Sequence, residues 1–193
     1  IKDANNVVVK NGTVRGFGNI GVVVRSTVQS NCKAVNIRAI DNGFSGIHFI
    51  GSGHMIKDCI ARSNANAGII TGDNSLALNC ASVDNGEVGL VATDGTILKN
   101  CRAIGNANEG ITTGDDCLVT GCIARGNNLD GINLGSSVCR SSTASNNGDG
   151  GIEAGDGASV IDCLSTGNAE DGIQMGTDCL IKGNQIRNNE TGI

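Results

Sequence analysis

The chain has no proline, tryptophan or tyrosine, and its only aromatic carbocycles are Phe17, Phe44 and Phe49. A compact α/β or sandwich core leans on aromatics for buried area, so a core of that kind is not expected. No apolar run approaches the roughly 20 residues a membrane-spanning helix needs, so no membrane insertion is expected. There is no Cys-x-x-Cys pair, and only His48 and His54 offer imidazole ligands, which leaves little from which to build a zinc site. Basic residues form no stripe. Fourteen Lys and Arg are interspersed with 19 Asp and Glu, for a net charge of -5. That excludes nucleic acid and an anionic membrane surface as the main expected partner. The start, Ile1-Lys2-Asp3, carries no charged-then-apolar targeting region. Because Ile1 is not an initiator methionine, the expectation is a processed chain or an excerpt of a longer one.

What the chain does have is repetition. Gly followed by an aliphatic residue recurs at Gly21-Val22, Gly46-Ile47, Gly68-Ile69, Gly89-Leu90, Gly110-Ile111, Gly131-Ile132, Gly151-Ile152, Gly172-Ile173 and Gly192-Ile193. After a longer first interval, Gly follows Gly at nearly equal steps from Gly46 to Gly192. Four residues before each Gly from Gly46 onward stands an asparagine: Asn42, Asn64, Asn85, Asn106, Asn127, Asn147, Asn168 and Asn188, with Asn189 an alternative in the last repeat. Five residues earlier lie Ile37, Cys59, Cys80, Cys101, Cys122, Ser142 and Cys163, and between these columns runs a small-residue column from Ala39 to Ser165. A repeat of about 21 residues is too short for helical solenoids and lacks the leucine pattern of leucine-rich repeats. The alternation in Cys101-Arg102-Ala103-Ile104 has the period of two that a strand demands. Three short strands and three turns per repeat therefore fit. Asparagine suits a sharp turn because it tolerates left-handed backbone. Stacked one coil apart, its amides can also bond to one another.

The pattern Cys-x-Ala-x-x-Asn-x-x-x-Gly-Ile resembles the right-handed parallel β-helix repeat of the pectate-lyase-like superfamily, especially its NosD-like members. The resemblance covers Asn11 to Ile193. It implies an all-β fold, a right-handed parallel β-helix (solenoid) of about eight coils, each of roughly 21 residues with three short strands. One domain is expected over 1–193, with irregular first coils over 1–36 and the regular repeats over 37–193. The chain stops at Gly192-Ile193 in mid-coil, so the expected context is a longer protein or an uncapped unit that stacks end to end.

Most of the nine cysteines fall in the repeat rather than in a disulfide framework. Cys59, Cys80, Cys101, Cys122 and Cys163 share one inward column, where thiols act as small apolar fillers. In-register side chains one coil apart sit too far apart at Cβ for a disulfide. Cys117, Cys139 and Cys179 fall about where Ser75 and Leu76 stand and suggest a second inward column. Cys32, in the first irregular loop, is the expected exposed thiol. Buried thiols survive in either redox compartment.

Several residues carry candidate chemistry. Thr113-Gly114-Asp115-Asp116-Cys117 resembles the Gly-Asp-Asp-Cys element of polygalacturonase-type hydrolases. Asn128-Leu129-Asp130-Gly131 and Ser52-Gly53-His54 resemble two others, but the elements occur in the wrong order and no Arg-Ile-Lys element is found. Glu109 and Asp130 precede the Gly of successive coils, and a close carboxylate pair is the arrangement of a retaining glycosidase. Catalytic candidates are therefore Asp115, Asp116, Asp130 and Glu109, although the repeat accounts for the Asp row more simply as turn residues. Asp73, Asp94 and Asp115 lie on three consecutive coils with Asp116 adjacent, an oxygen-rich row that admits calcium. No cofactor is required. His48 heads an outward column continued by Ile70, Val91, Thr112, Asn133, Glu153 and Gln174, and is expected as an exposed strand residue. The sequence thus favours a non-catalytic extracellular or cell-surface scaffold that associates with itself, end to end or laterally, or with another surface protein. The alternative is a calcium-assisted polysaccharide lyase, hydrolase or epimerase.

Overall fold

Each coil is a triangle whose corners are left-handed residues. In a computed structural model, which describes residues 1 and 4–193, three columns of positive φ run the length of the molecule. One passes through Asn36, Asp58, Asn79, Asn100, Gly121, Ser141, Asp162 and Gly183; a second through Asp41, Ser63, Asp84, Gly105, Gly126, Asn146, Gly167 and Asn188; a third includes Asn31, Gly53, Asn74, Gly95, Asp116, Gly157 and Asp178. Asn, Asp and Gly recur there because they are the residues that enter this backbone region at least cost.

Between corners lie three-residue strands such as Leu90–Ala92, Ile97–Lys99 and Arg102–Ile104. Every named strand pair is parallel, one coil on the next, in a β-solenoid of about nine turns. One side of the triangle is an eight-stranded sheet from Val22–Val24 to Ile173–Met175. The other two sides form a sixteen-stranded sheet, continuous because Val8–Arg15 and Lys33–Ile40 each run through both sides. Residues 1–36, expected to be irregular, hold Val8–Arg15 in full parallel register with Lys33–Ile40 (Val8 opposite Lys33, Arg15 opposite Ile40).

The narrow interior explains the missing aromatics. The inward column Ile47, Ile69, Leu90, Ile111, Ile132, Ile152 and Ile173 is buried throughout, and the facing columns hold Ala, Cys, Val and Leu. Three of the sequence columns, the Gly, the Asn and the small residue, keep phase because they meet at one corner. A Cβ built on Gly110 would lie 2.5 Å from Asn127 Nδ2, 2.6 Å from the Gly131 carbonyl oxygen and 3.0 Å from Ala124 Cβ. Only Gly fits between an asparagine amide and a small residue at that approach.

The asparagines form a continuous ladder. Nδ2 of Asn42, Asn64, Asn85, Asn106, Asn127 and Asn147 each donates to Oδ1 of the asparagine one coil on, at 2.8–3.0 Å. The last rung is Asn168 to Asn189 at 2.9 Å, not to Asn188. Asn188 takes the left-handed corner at φ 55° instead. Both positions favour asparagine, which is why the sequence pattern did not separate them. Each ladder Oδ1 also accepts a backbone N–H, as in Asn85 N to Asn106 Oδ1 at 3.1 Å.

Two cysteine expectations need correction. Cys32 is fully buried, covered by the first coil, with its thiol 3.6 Å from the carbonyl oxygen of Ala4. Cys139 lies opposite Val119 and Val160 at mid-strand, not in the column of Cys117. Ser137 takes the place of Cys117 in that coil, its hydroxyl accepting the Cys117 N–H at 2.9 Å, and Cys139 stands two residues further on. All nine cysteines are free thiols.

Candidate functional site

The outer face of the eight-stranded sheet gathers most of the unusual chemistry. Its outward column runs in the expected register: Val23, His48, Ile70, Val91, Thr112, Asn133, Glu153 and Gln174 stand opposite one another coil by coil. The first half is apolar apart from His48, and the second half is polar. Among the described residues, every Lys and Arg within a strand belongs to the sixteen-stranded sheet, including Arg62, Lys99, Arg102, Arg125 and Arg140. The strands of the eight-stranded sheet carry none. Acids frame that sheet on both edges: Glu87, Glu109, Asp130, Asp149 and Glu170 before its strands, and Asp73, Asp94, Asp115 and Asp156 after them.

Near the first coils a cleft of about 450 Å³ is lined by Thr27, His48, Ile70, Thr71, Asp73 and Thr93. His48 is half-buried rather than exposed, and its Nδ1 has no hydrogen-bond partner. Burial lowers its pKa, which favours the neutral ring. His54, the other imidazole, is closed to chemistry. Its Nδ1 accepts the Cys32 N–H at 3.2 Å and its Nε2 lies 3.0 Å from the Ile50 carbonyl oxygen. The ring packs edge-on against Phe49 with centroids 5.3 Å apart.

The predicted acids separate into two groups. Those after the strands cap the following coil: Asp94 Oδ1 accepts the Asp115 N–H at 3.0 Å, Asp115 Oδ1 accepts that of Ser136 at 2.9 Å, and Asp156 Oδ1 that of Thr177 at 2.7 Å. Asp116 is a left-handed corner at φ 55°. A calcium ion takes about six to eight oxygens. The row offers one carboxylate per coil, two of them with one oxygen already engaged, and among the described residues no group of three or more His, Cys, Asp or Glu side chains has an arrangement that could hold a metal ion.

Asp130 belongs to the other group. It lies in a small cleft of about 150 Å³ with Asp149, Glu153, Glu170, Asp171 and Gln174. Burial, followed by a hydrogen bond and repulsion from Glu153 and repulsion from Asp149, pushes its carboxyl up to about 7, against a bond from the Gly150 N–H at 2.9 Å. Glu153 is itself held by Asn133 Nδ2 at 2.6 Å. Glu170 is likewise raised, by a hydrogen bond and repulsion from Asp149. Glu109, expected beside Asp130, is half-buried on the preceding coil, and its backbone carbonyl accepts the Gly89 N–H. Sequence reading did not find Glu153 as the carboxylate facing Asp130. One stands in a turn and the other on the next coil's strand, and no column in the repeat connects them.

No helix is long and apolar enough to cross a membrane among the described residues. A family described as a right handed beta helix region matches residues 1–159. No curated protein matches the sequence. Among solved structures, the Azotobacter vinelandii mannuronan C-5 epimerase AlgE6 A-module superposes with a TM-score of 0.85 at 17% identity, covering 97% of this chain and 61% of that one. The AlgE4 A-module of the same organism gives 0.80 at 16%, covering 98% and 64%. PfbA, a surface adhesin of Streptococcus pneumoniae, gives 0.61 at 12%, covering 100% and 62%. The chain thus spans less than two thirds of each of these structures, and the likeness is one of fold.

Proposed function

Because the chain belongs to the right handed beta helix family, we propose that it is a non-catalytic β-helical scaffold, extracellular or at a cell surface, that associates laterally with a second copy or another surface protein. The observation that carries this reading is the segregation of charge: strand bases lie on the sixteen-stranded sheet, and acids frame the eight-stranded one. Opposed faces of opposite sign steer association between rigid rods and make it dependent on ionic strength. The aspartate row fits the scaffold role, since Asp94, Asp115 and Asp156 hold the next coil together. Sedimentation velocity at about 20 mM and about 500 mM salt tests the reading. Oligomers at low salt that dissolve at high salt, and are lost in Arg102→Glu/Arg125→Glu, are the expected result. A chain that stays monomeric at low salt and high concentration, and captures no acidic or basic partner protein, overturns it.

A second reading, a polysaccharide-active enzyme, is favoured by one observation: the Asp130 carboxyl, at about 7, can hold or release a proton near neutrality beside Glu153. The acidic frame would repel a uronate polymer unless cations such as calcium bridged them. Turnover of uronate polysaccharides that is absent in Asp130→Asn would establish this reading, and inertness toward them with and without calcium would remove it.

A further inference from the structure

Along the thiol column, each cysteine reaches back to the same place on the coil before. Cys80 Sγ lies 3.4 Å from the Ile56 carbonyl oxygen, Cys101 Sγ 3.5 Å from that of Ala77, and Cys122 Sγ 3.5 Å from that of Leu98. All three partners stand at the same sequence offset and are apolar. For Cys163 the residue at that offset is Cys139, and there the two Sγ atoms lie 3.7 Å apart. The register makes this the one place on the diagonal where the thiol column crosses a second cysteine among the described residues.

Two neighbouring features isolate and expose the pair. Ser142 replaces cysteine in the coil between Cys122 and Cys163, and its hydroxyl accepts the Cys122 N–H at 3.1 Å. Cys122, the last of the four thiols stacked below, therefore has no cysteine above it in register. Cys163, although only 2% exposed, lines an open cleft of about 450 Å³ with Ser142, Asp162, Gly183 and Gln185. Cys139 lies fully buried behind it.

We propose that Cys139 and Cys163 are a redox pair, converted by a peroxide-class oxidant into a disulfide that staples two successive coils. Cys163 lines the open cleft and Cys139 does not, and the hydrogen bond with Cys139 holds the Cys163 thiol down to about 7 while the same contact raises Cys139, so Cys163 meets the oxidant first. Its sulfur takes one oxygen of hydrogen peroxide. The O–O bond breaks, and the departing hydroxide takes up the proton released by Cys163, which gives water and a sulfenic acid on Cys163. The Cys139 sulfur then attacks that sulfenic sulfur. The S–O bond breaks, and the hydroxide leaves as water with the Cys139 proton. Two thiols and one peroxide thus give one disulfide and two waters. Closing the S–S bond to about 2.05 Å requires a movement shared by two adjacent coils.

The test treats the folded full chain with hydrogen peroxide, blocks remaining thiols after denaturation, and maps the cross-link by mass spectrometry. Cleavage after Arg140 separates the two cysteines, and cleavage at acidic residues separates Cys163 from Cys179. The expected result is loss of two of the nine thiols, with the link mapped to Cys139–Cys163 and circular dichroism unchanged. In Cys163→Ser, thiol loss slows by about tenfold or more. In Cys139→Ser, the sulfenic acid at Cys163 persists and is captured by dimedone. Retention of all nine thiols while folded, a link mapped to another pair, or absence of dimedone capture in a folded Cys139→Ser protein overturns the proposal.

Discussion

The asparagine ladder and the aspartate row do similar work in different surroundings. In both, a side-chain oxygen accepts a backbone N–H from a neighbouring coil: Asn106 Oδ1 that of Asn85 at 3.1 Å, and Asp115 Oδ1 that of Ser136 at 2.9 Å. The ladder is buried from Asn42 to Asn168, and all but the first of its asparagines also receive the amide of the asparagine one coil before. The row is exposed, and Ser136 interrupts it. Water can replace a lost bond in the row but not in the ladder, so burial decides which column tolerates change.

This comparison can be broken from the buried side first. Asn106→Ala removes the acceptor of both Asn85 donors and the donor to Asn127, and leaves the Ser82 carbonyl without its amide. A loss of about 3 kcal/mol or more is expected, seen as a fall in thermal midpoint of roughly 6 °C or more. Asp115→Ala removes one exposed cap and should cost about 1 kcal/mol or less in the same measurement. If the two variants lost equal stability, the argument from burial would fail.

The smallest effect concerns Asp130, which caps the Gly150 N–H like a member of the row but sits among other acids. Its folded pKa of about 7 lies above its unfolded value, so the folded state binds the extra proton. The stability this contributes is complete below about pH 4 and is lost as pH rises through about 7. Asp130→Asn should flatten that part of the pH–stability curve and match or exceed the parent by about 2 °C at pH 8, a modest effect because the group is half-exposed. A curve that stays steep between pH 4 and 7 in the variant would assign the slope to other acids.

The fold was legible because its constraints repeat. The corner where Gly110, Ala124 and Asn127 meet recurs along the regular coils, so one steric fact is written many times over the chain. What escaped reading occurs once. Cys32 was expected at the surface because the long first interval hides that the segment before Val8, with the Ala4 carbonyl against the thiol, covers it. Cys139 stands two residues beyond Ser137, which holds the Cys117 place in a shortened coil, and Asp130 meets Glu153 across coils through a pairing that no repeat encodes. Periodic spacing reports what all coils share, whereas the candidate chemistry lies where single coils depart from it.

The strict stacking of each coil on its neighbour in sequence has a mechanical consequence. Pulled from its two termini, the rod has no long-range staple in its reduced state, so it yields at an end, one turn at a time. Each step releases about 70 Å of chain, the contour of roughly 21 residues, under nearly constant load. Such a molecule is a spool whose extension under tension counts turns, and a single cross-link between two turns would mark where unwinding stops.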